Sequence, residues 1–376
     1  MKTEAMPILQ LPSAPRERGR AHGEALREKI GIILDQWRAT TRLQAGMSFG
    51  ETIDIFLKET KFVDQIRTHM PKLLEEIDGI AEGAGCDPRF VLAFQFGDEA
   101  RWFFRDRFES ANSPNGDNCS SLGARGDDLR PTIIAENVDV GGWADSFQTV
   151  LRFREAEGDA ETLIFTVAGM LAMNGVNGRG LAVCCNTLLQ LDPSPSGLPV
   201  AAIVRGVLSS RDFESASAFA RTAQHASGQN YLIGGRRGVV NVESCGAGSS
   251  VFQLDGRDDR VIHTNHPLAN EALSQFERQR ALAGDDAYNV SSRRRFRSLS
   301  ARFGAAFGPS SVEEVKNVLR ARDDALFPVC LEAEDRASEA MTIASTIFEL
   351  GDSVRMHIAA GPPSVADYLV LEAGAA

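Results

Sequence analysis

The feature that most constrains this chain is a change of texture at Cys119. Before it, apolar residues recur at helical spacing. After it come short runs rich in Val, Ile, Leu, Phe and Thr, separated by Gly, Asp and Asn turns. Between the two lies Ser110–Asn118, polar and turn-rich, a stretch that reads as exposed and tolerant of a backbone cut. On the helical side, Leu26, Ile30, Ile33, Leu34 and Trp37 follow Gly19-Arg20-Ala21-His22-Gly23. A second helix is expected from about Thr52 to Met70, a third from Pro71 until Gly83-Ala84-Gly85, and a fourth from about Pro88 to Phe104.

Strands are expected at 119–125, 131–138, 149–155, 161–167 and 180–186, followed by two helices at 198–209 and 213–226. Strands resume at 229–233, 238–244, 250–254 and 260–264. Helices follow at about 270–282, 291–303 and 311–320, with closing strands at 340–349 and 353–359. Strand blocks that alternate with helix pairs, without βαβ regularity, fit antiparallel sheets covered by helices. With 43% hydrophobic residues the chain supplies a large core, and its net charge of −11 argues against a general nucleic-acid or anionic-membrane binder. Arg293-Arg294-Arg295 is the only compact basic patch. The N-terminus lacks a secretory pattern and no run reaches membrane-helix length, so the cytoplasm is the expected location. The six cysteines show no CxxC spacing and read as reduced; no metal site is legible.

A cysteine in such a chain is more often a buried filler than a nucleophile. Cys119, however, follows the polar linker, opens the first strand and is flanked by Ser120-Ser121. If the bond before it were cut, its own α-amino group, of ordinary pKa about 7.7–8.0, would serve as base with no histidine needed. His263 and His266 could suggest a metal pair, but no carboxylate pattern accompanies them, and hydrogen-bonding roles fit better.

Cys119-Ser120-Ser121 followed by Glu136-Asn137-Val138-Asp139 resembles the processing site and first hairpin of N-terminal-nucleophile hydrolases. The resemblance is to their acyl-CoA:6-aminopenicillanate acyltransferase-like branch, related to choloylglycine hydrolases. Further blocks match in order: Gly19-Arg20-Ala21-His22-Gly23, the helix ending Gly79-Ile80-Ala81-Glu82-Gly83-Ala84-Gly85, Gly175-Val176-Asn177 through Leu181 with Asn186, His263-Thr264-Asn265-His266-Pro267 and Gly361-Pro362-Pro363. The resemblance implies a four-layer αββα sandwich of two antiparallel sheets, as one domain spanning residues 1–376. Self-cleavage between Asn118 and Cys119 would leave a helical α-chain, 1–118, bound to a β-chain, 119–376.

It also implies site roles. Cys119 is the nucleophile, Asp139 contacts its amino group, and Asn265 supplies the oxyanion hole. Asn186, Glu136, Asn137 and Trp143 are candidates for substrate binding. Read from the residues alone, Asp139 could equally cap the turn before Gly141-Gly142, and Asn265 could be a turn residue before Pro267. The aromatics Phe94, Phe96, Phe103 and Phe104 could line an acyl pocket or belong to the core.

Three positions depart from the branch. Asn118 stands where Gly is usual, Glu136 where Arg or Gln is, and Leu331 where some relatives carry a late arginine; Arg336 is displaced from that position. Glu136 is therefore expected either to point away or to bind a positive part of the substrate. The expected activity is hydrolysis of a linear small-molecule amide through a thioester on Cys119. An acyl-CoA-dependent N-acyltransferase and an unprocessed, non-catalytic ligand-binding relative are the alternatives. No cofactor is expected, and a CoA thioester enters only as a co-substrate. A homo-oligomer is compatible with the sequence.

Overall fold

The computed structural model describes residues 5–41, 47–108, 119–283, 289–337 and 339–376. Asn118, half of the expected cleavage site, lies outside these. Among the described residues, seven helices precede Cys119: α1 (Pro15–Ala25), α2 (Arg27–Thr40), α3 (Phe49–Glu59), α4 (Phe62–His69), α5 (Pro71–Ala84), α6 (Pro88–Phe94) and α7 (Gly97–Phe108). The expected helix from Thr52 to Met70 is two helices, broken at Thr60-Lys61, and the one from Pro88 is also two, restarting at Gly97. Pro71 opens α5, and Gly85 closes it in the left-handed region, at φ 69°, where a glycine has no Cβ to clash.

Two sheets follow. The larger has the order β1 (Ile8–Gln10), β4 (Gln148–Arg154), β5 (Glu161–Val167), β6 (Asn174–Asn177), β7 (Leu181–Thr187), β8 (Gln229–Gly235), β9 (Gly238–Cys245) and β10 (Gly248–Phe252). The smaller has the order β11 (Arg260–His263), β2 (Ser120–Ala124), β3 (Thr132–Gly141), β12 (Ala340–Leu350), β13 (Val354–Ala359) and β14 (Leu369–Ala373). Both are antiparallel except at one edge, where β1 runs parallel to β4. Strands β1, β6 and β14 are missing from the expected runs: β1 and β14 are short edge strands without clear alternation, and β6 is only four residues long.

Alternation fixes the layers. On β3, Ile134, Glu136 and Val138 face the other sheet, whereas Ile133 and Ala135 pack outward with Leu122, Leu299, Phe303, Val315 and Leu319. That outer face is covered by α11 (Val290–Leu299) and α12 (Val312–Leu319). The outer face of the larger sheet is covered by α8 (Val200–Ser209) and α9 (Phe213–Thr222), while α1 packs on α5 and reaches the sheet through Arg18, whose guanidinium lies over Phe153 of β4. The result is the four-layer αββα sandwich that the resemblance implied. Among the described residues, no helix is long and apolar enough to cross a membrane.

Two of the motifs prove to be a single contact. Gly19 and Gly23 of α1 lie against Gly79 and Gly83 of α5 so closely that a Cβ on any of the four would stand under 3.0 Å from the other helix's backbone. Small residues at i and i+4 on both helices let the two backbones touch. We expect Gly79→Ala to destabilise the fold by about 1–3 kcal/mol through overpacking. Gly31→Ala, where the new Cβ meets nothing within 4 Å, should be neutral or gain up to about 1 kcal/mol. Chemical denaturation of the pair checks this. His22, between the two α1 glycines, is buried and accepts the Gly169 backbone N–H on Nε2 (3.1 Å), tying α1 to the β5–β6 connection.

Candidate active site

Cys119 is buried at the head of β2 and lines a cavity of about 650 Å³. One wall comes from segments before the cysteine, with Trp37, Phe94, Asp98, Glu99, Arg101 and Phe104. The facing wall is built after it, with Glu136, Val138, Trp143, Met170, Met173, Cys185 and Thr187. Phe94 and Phe104 therefore reach the cavity, while Phe96 and Phe103 are buried in the aromatic cluster around Phe56 and Phe62 and do not line it. Trp143 sits on a short turn, Gly142–Ala144, and its indole occupies the space that a side chain at Gly141 would fill.

The β2–β3 register pairs Ser121 with Glu136 and Ser120 with Asn137, which separates the expected site residues onto two faces. Cys119, Ser121, Glu136 and Val138 share the inner face. Ser121 Oγ donates to Asn186 Oδ1 (2.6 Å), and Asn230 Nδ2 donates to the same oxygen (3.1 Å) and to Asn241 Oδ1 (3.1 Å). Asn186 is thus part of a buried polar ladder between the sheets rather than of the cavity lining.

Asn137 and Asp139 face outward. Asn137 Nδ2 donates to the carbonyls of Leu319 and Val329 (both 2.9 Å), which ties β3 to the helix layer and keeps this residue out of the cavity. Asp139 Oδ1 accepts from Thr342 Oγ1 (2.6 Å) where β12 carries a bulge, between Thr342 and Ala344. The Cys119 thiol lies 3.8 Å from the Asp139 carbonyl oxygen.

Asn265 reaches Cys119 through a residue that sequence reasoning placed elsewhere. Arg295 belongs to the run that reads as a surface basic patch, yet it is buried. Its Nη1 donates to the Cys119 carbonyl (2.7 Å) and to Ser120 Oγ (2.9 Å), and its Nη2 to Asn265 Oδ1 (3.0 Å). The signal was present in the spacing: Ser292, Arg295 and Leu299 recur on one face of α11, and all three are buried. Burial draws the guanidinium down to about 10, opposed by the nearby Asp139 and Cys119, so it stays charged at neutral pH. Asn265 Nδ2 donates to the Thr187 carbonyl (3.1 Å), and its backbone N–H to Ser292 Oγ (2.7 Å). Arg336 is exposed and pairs with Asp145, away from this cluster.

The loop that carries Asn265 is itself clamped. His263 bonds Glu243 Oε1 (2.7 Å) and the Thr264 carbonyl (2.6 Å), and Glu243 also accepts the backbone N–H groups of Leu268, Ala269 and Asn270. Burial alone would raise the Glu243 carboxyl, but His263 and these amides hold it below its ordinary value. His266 bonds Ser292 Oγ through Nδ1 (2.7 Å). Arg295→Met should leave Asn265 Oδ1 and the Cys119 carbonyl without this donor, while Asn265 keeps its bonds to Thr187 and Ser292. If Asn265 has the oxyanion-hole role that the resemblance implies, the loss of its alignment should lower turnover by about 10²-fold, within the range for losing such a donor. Steady-state kinetics check it, with Arg295→Lys recovering only a minor part because one ammonium cannot bridge three acceptors in a fixed fork.

Two cavity carboxyls are perturbed. Burial pushes Glu136 up to about 8 against the hydrogen bonds from Asn174 and Cys185, with the Asp139 charge adding to the rise. Burial also pushes Glu99 up to about 8, helped by the Asp98 charge. Glu99 accepts the Val200 N–H (3.0 Å) at the start of α8 and the Ser227 hydroxyl (2.8 Å). Glu99 lies inside an otherwise amphipathic helix start, and nothing in its local sequence marks it as a cavity residue.

Comparisons with known proteins bear on this arrangement. Among curated proteins, none matches the chain. Solved structures that resemble it include an N-acylethanolamine-hydrolyzing acid amidase ortholog of Caenorhabditis elegans, at 16% identity and a TM-score of 0.42, covering 62% of this chain and 93% of that one. A conjugated bile acid hydrolase from Clostridium perfringens is 12% identical with a TM-score of 0.46, over 68% of this chain and 92% of that one. A penicillin V acylase from Agrobacterium tumefaciens is 16% identical with a TM-score of 0.43, over 68% and 86%. The family profile described as acyl-coenzyme A:6-aminopenicillanic acid acyl-transferase matches residues 130–364, more than half of the sequence. The chain belongs to the acyl-coenzyme A:6-aminopenicillanic acid acyl-transferase family.

Proposed function

We propose that this protein is a self-processing cysteine amidohydrolase that cleaves a linear N-acyl amine or N-acyl amino acid through a thioester on Cys119. The observation that carries the reading is the position of Cys119, which stands at the head of a strand directly after the polar linker and lines a cavity of about 650 Å³. In processing, Cys119 Sγ attacks the Asn118 carbonyl carbon. The C–S bond forms, the C–N bond breaks, and the thiol proton passes to the departing nitrogen, which becomes the α-amino group of Cys119. Water then releases the Asn118 carboxylate and restores the thiol. Turnover repeats these steps on the substrate, with the new amine as base. Asp139 would steady that amine, and Asn265, oriented by Arg295, would donate to the oxyanion.

The cleaved segments, 1–118 and 119–376, would stay together as one unit, because both supply walls of the same cavity. All six cysteines are free thiols, which suits a reducing compartment, and the cytoplasm is the proposed location. A second reading, acyl transfer from a CoA thioester to an amine, draws on the family description and shares every step except the final acceptor.

Intact mass of the purified protein tests the central claim. We expect two polypeptides divided at Asn118/Cys119, and a mass adduct on the shorter-lived thioester when an activated acyl amide is added and quenched in acid. A single chain that stays uncut and takes no adduct would instead support a binding protein. Ping-pong kinetics with an acyl-CoA donor would favour transfer over hydrolysis.

A further inference from the structure

Glu136 is the most unusual group in the cavity. It projects from β3 on the same face as Cys119 and is 2% exposed. Its Oε2 is fixed, accepting from Asn174 Nδ2 (2.8 Å) and from the Cys185 backbone N–H (3.4 Å). Both donors sit where β6 and β7 have stopped pairing: their register ends at Gly175↔Val183. The carboxyl therefore fills a gap in the larger sheet from the smaller one. Its second oxygen, Oε1, has no partner among the described residues, and no basic side chain among them forms an ion pair with Glu136.

A carboxyl buried without a cation stays largely protonated, and it ionises when a positive charge is placed beside it. The same cavity is lined by Trp37, Phe94, Phe104 and Trp143, with Asp98, Glu99 and Glu339 against two arginines, Arg101 and Arg105, so with Glu136 its carboxyl groups outnumber its cations. Aromatic faces with carboxylates form surroundings that favour an organic cation over a neutral alkyl group.

We propose that the amide cleaved at Cys119 carries a positively charged amino group a few bonds from the scissile carbonyl, and that Glu136 receives it. This rests on the amidase reading above and adds the substrate class to it. Glu136 is a specificity residue here. The rise of its carboxyl to about 8 comes chiefly from burial, a cost that an ammonium ion beside it would relieve.

The test uses matched amides on the processed, full-length protein. One pair carries the charge in the acyl part: an ω-aminoalkanoyl p-nitroanilide and its isosteric alkanoyl p-nitroanilide. A second pair carries it in the amine part: an alkanoyl amide of a diamine and that of the isosteric monoamine. We expect kcat/KM to favour the charged member of one pair by about 10- to 100-fold, as for a hydrogen bond to a charged group. Which pair shows the preference identifies the side on which Glu136 reads the substrate.

Glu136→Gln keeps an acceptor for Asn174 and Cys185, so the sheet gap stays closed, and a melting curve verifies it. In this variant the charged-to-neutral ratio should collapse towards one. An equal loss on both members of each pair, or a wild-type preference for the neutral members, overturns the proposal. Acid-quenched mass spectrometry separates the two levels. Acyl adducts on Cys119 without charge preference sink only the substrate class, whereas no adduct from any of the four amides sinks the amidase reading as well.

Discussion

Cys119→Ala is expected to yield one uncut polypeptide of 376 residues and to lower amide turnover by on the order of 10⁴-fold or more, the scale lost when an activated nucleophile is deleted. Two separate functions vanish with one atom. The thiol is the attacking group in chain cleavage, and the cleavage it performs creates the amine that later serves as its base. The variant should nevertheless fold. Cys119 is a small buried residue whose thiol lies 3.8 Å from the Asp139 carbonyl, and Ala leaves a void of about one sulfur, worth roughly 1–2 kcal/mol. Mass spectrometry and a melting curve on the same sample therefore separate chemistry from stability. A Cys119→Ala protein that still arrives as two chains cut at Asn118 would mean that an outside protease makes the cut, and self-processing would be lost as an idea. Cys119→Ser provides a graded control. Its hydroxyl is far less acidic than a thiol, so processing should slow markedly rather than stop.

Much of the scaffold around this cysteine was legible in the chain. The helical period before residue 110, the strand runs after 119 and the glycine stop of α5 all appear where periodicity and turn chemistry put them. Legibility failed where tertiary contact overrides local pattern. The break at Thr60-Lys61 falls in the polar run 58–61 and the other before Gly97, but apolar residues resume after each, so the helical pattern reads through both. Strands β1 and β14 exist because a sheet edge offers them partners. The site divides in the same way. Cys119, Glu136 and Trp143 could be placed from a strand head, a hairpin and an ordered set of motifs. The face that each residue uses required the register: a one-residue step sends Asn137 to the helix layer and Glu136 to the cavity. Arg295 was hidden by its neighbours, because three successive arginines look solvated until the helix assigns the third to its inner face.

Glu76→Gln is expected to cost about 3–5 kcal/mol, because it strands two buried guanidinium groups. Glu76 on α5 bonds Arg18 of α1 (2.9 Å) and both terminal nitrogens of Arg205 on α8 (2.9 and 3.0 Å). Glu155 bonds the same two arginines at 3.4 and 3.3 Å, and both guanidiniums stack on Phe153. Arg18, Glu76 and Arg205 are each at most 2% exposed, while Glu155 is partly solvated and a weaker partner. Replacing all three by apolar residues of similar volume should be close to neutral, since the cost lies in the unpaired charge and not in the lost pair. Arg18 and Glu76 belong to the segment before Cys119, and Arg205 and Glu155 to the segment after it. After cleavage the network would span two polypeptides, and Glu76→Gln should release the shorter one in denaturant well before the remainder unfolds. The pH dependence follows from the same seam. Burial pushes the Glu76 carboxyl up, but Arg205 and Arg18 outweigh it and hold it below its ordinary value. Its stabilisation is therefore present above the unfolded carboxylate pKa and is lost as pH falls through the folded one. His22, held neutral by burial at a pKa of about 4 against 6.5 when unfolded, loses its contribution earlier, between pH 6.5 and 4. His225 and His266 are drawn to about 4 by burial as well, while Glu99 and Glu136, pushed up to about 8, act in the opposite sense. In a denaturation series over that window, His22→Gln should make stability fall less with acid than in the wild type, while Glu76→Gln leaves the His22 part in place. A His22→Gln slope equal to that of the wild type would mean that His22 contributes nothing to the acid sensitivity.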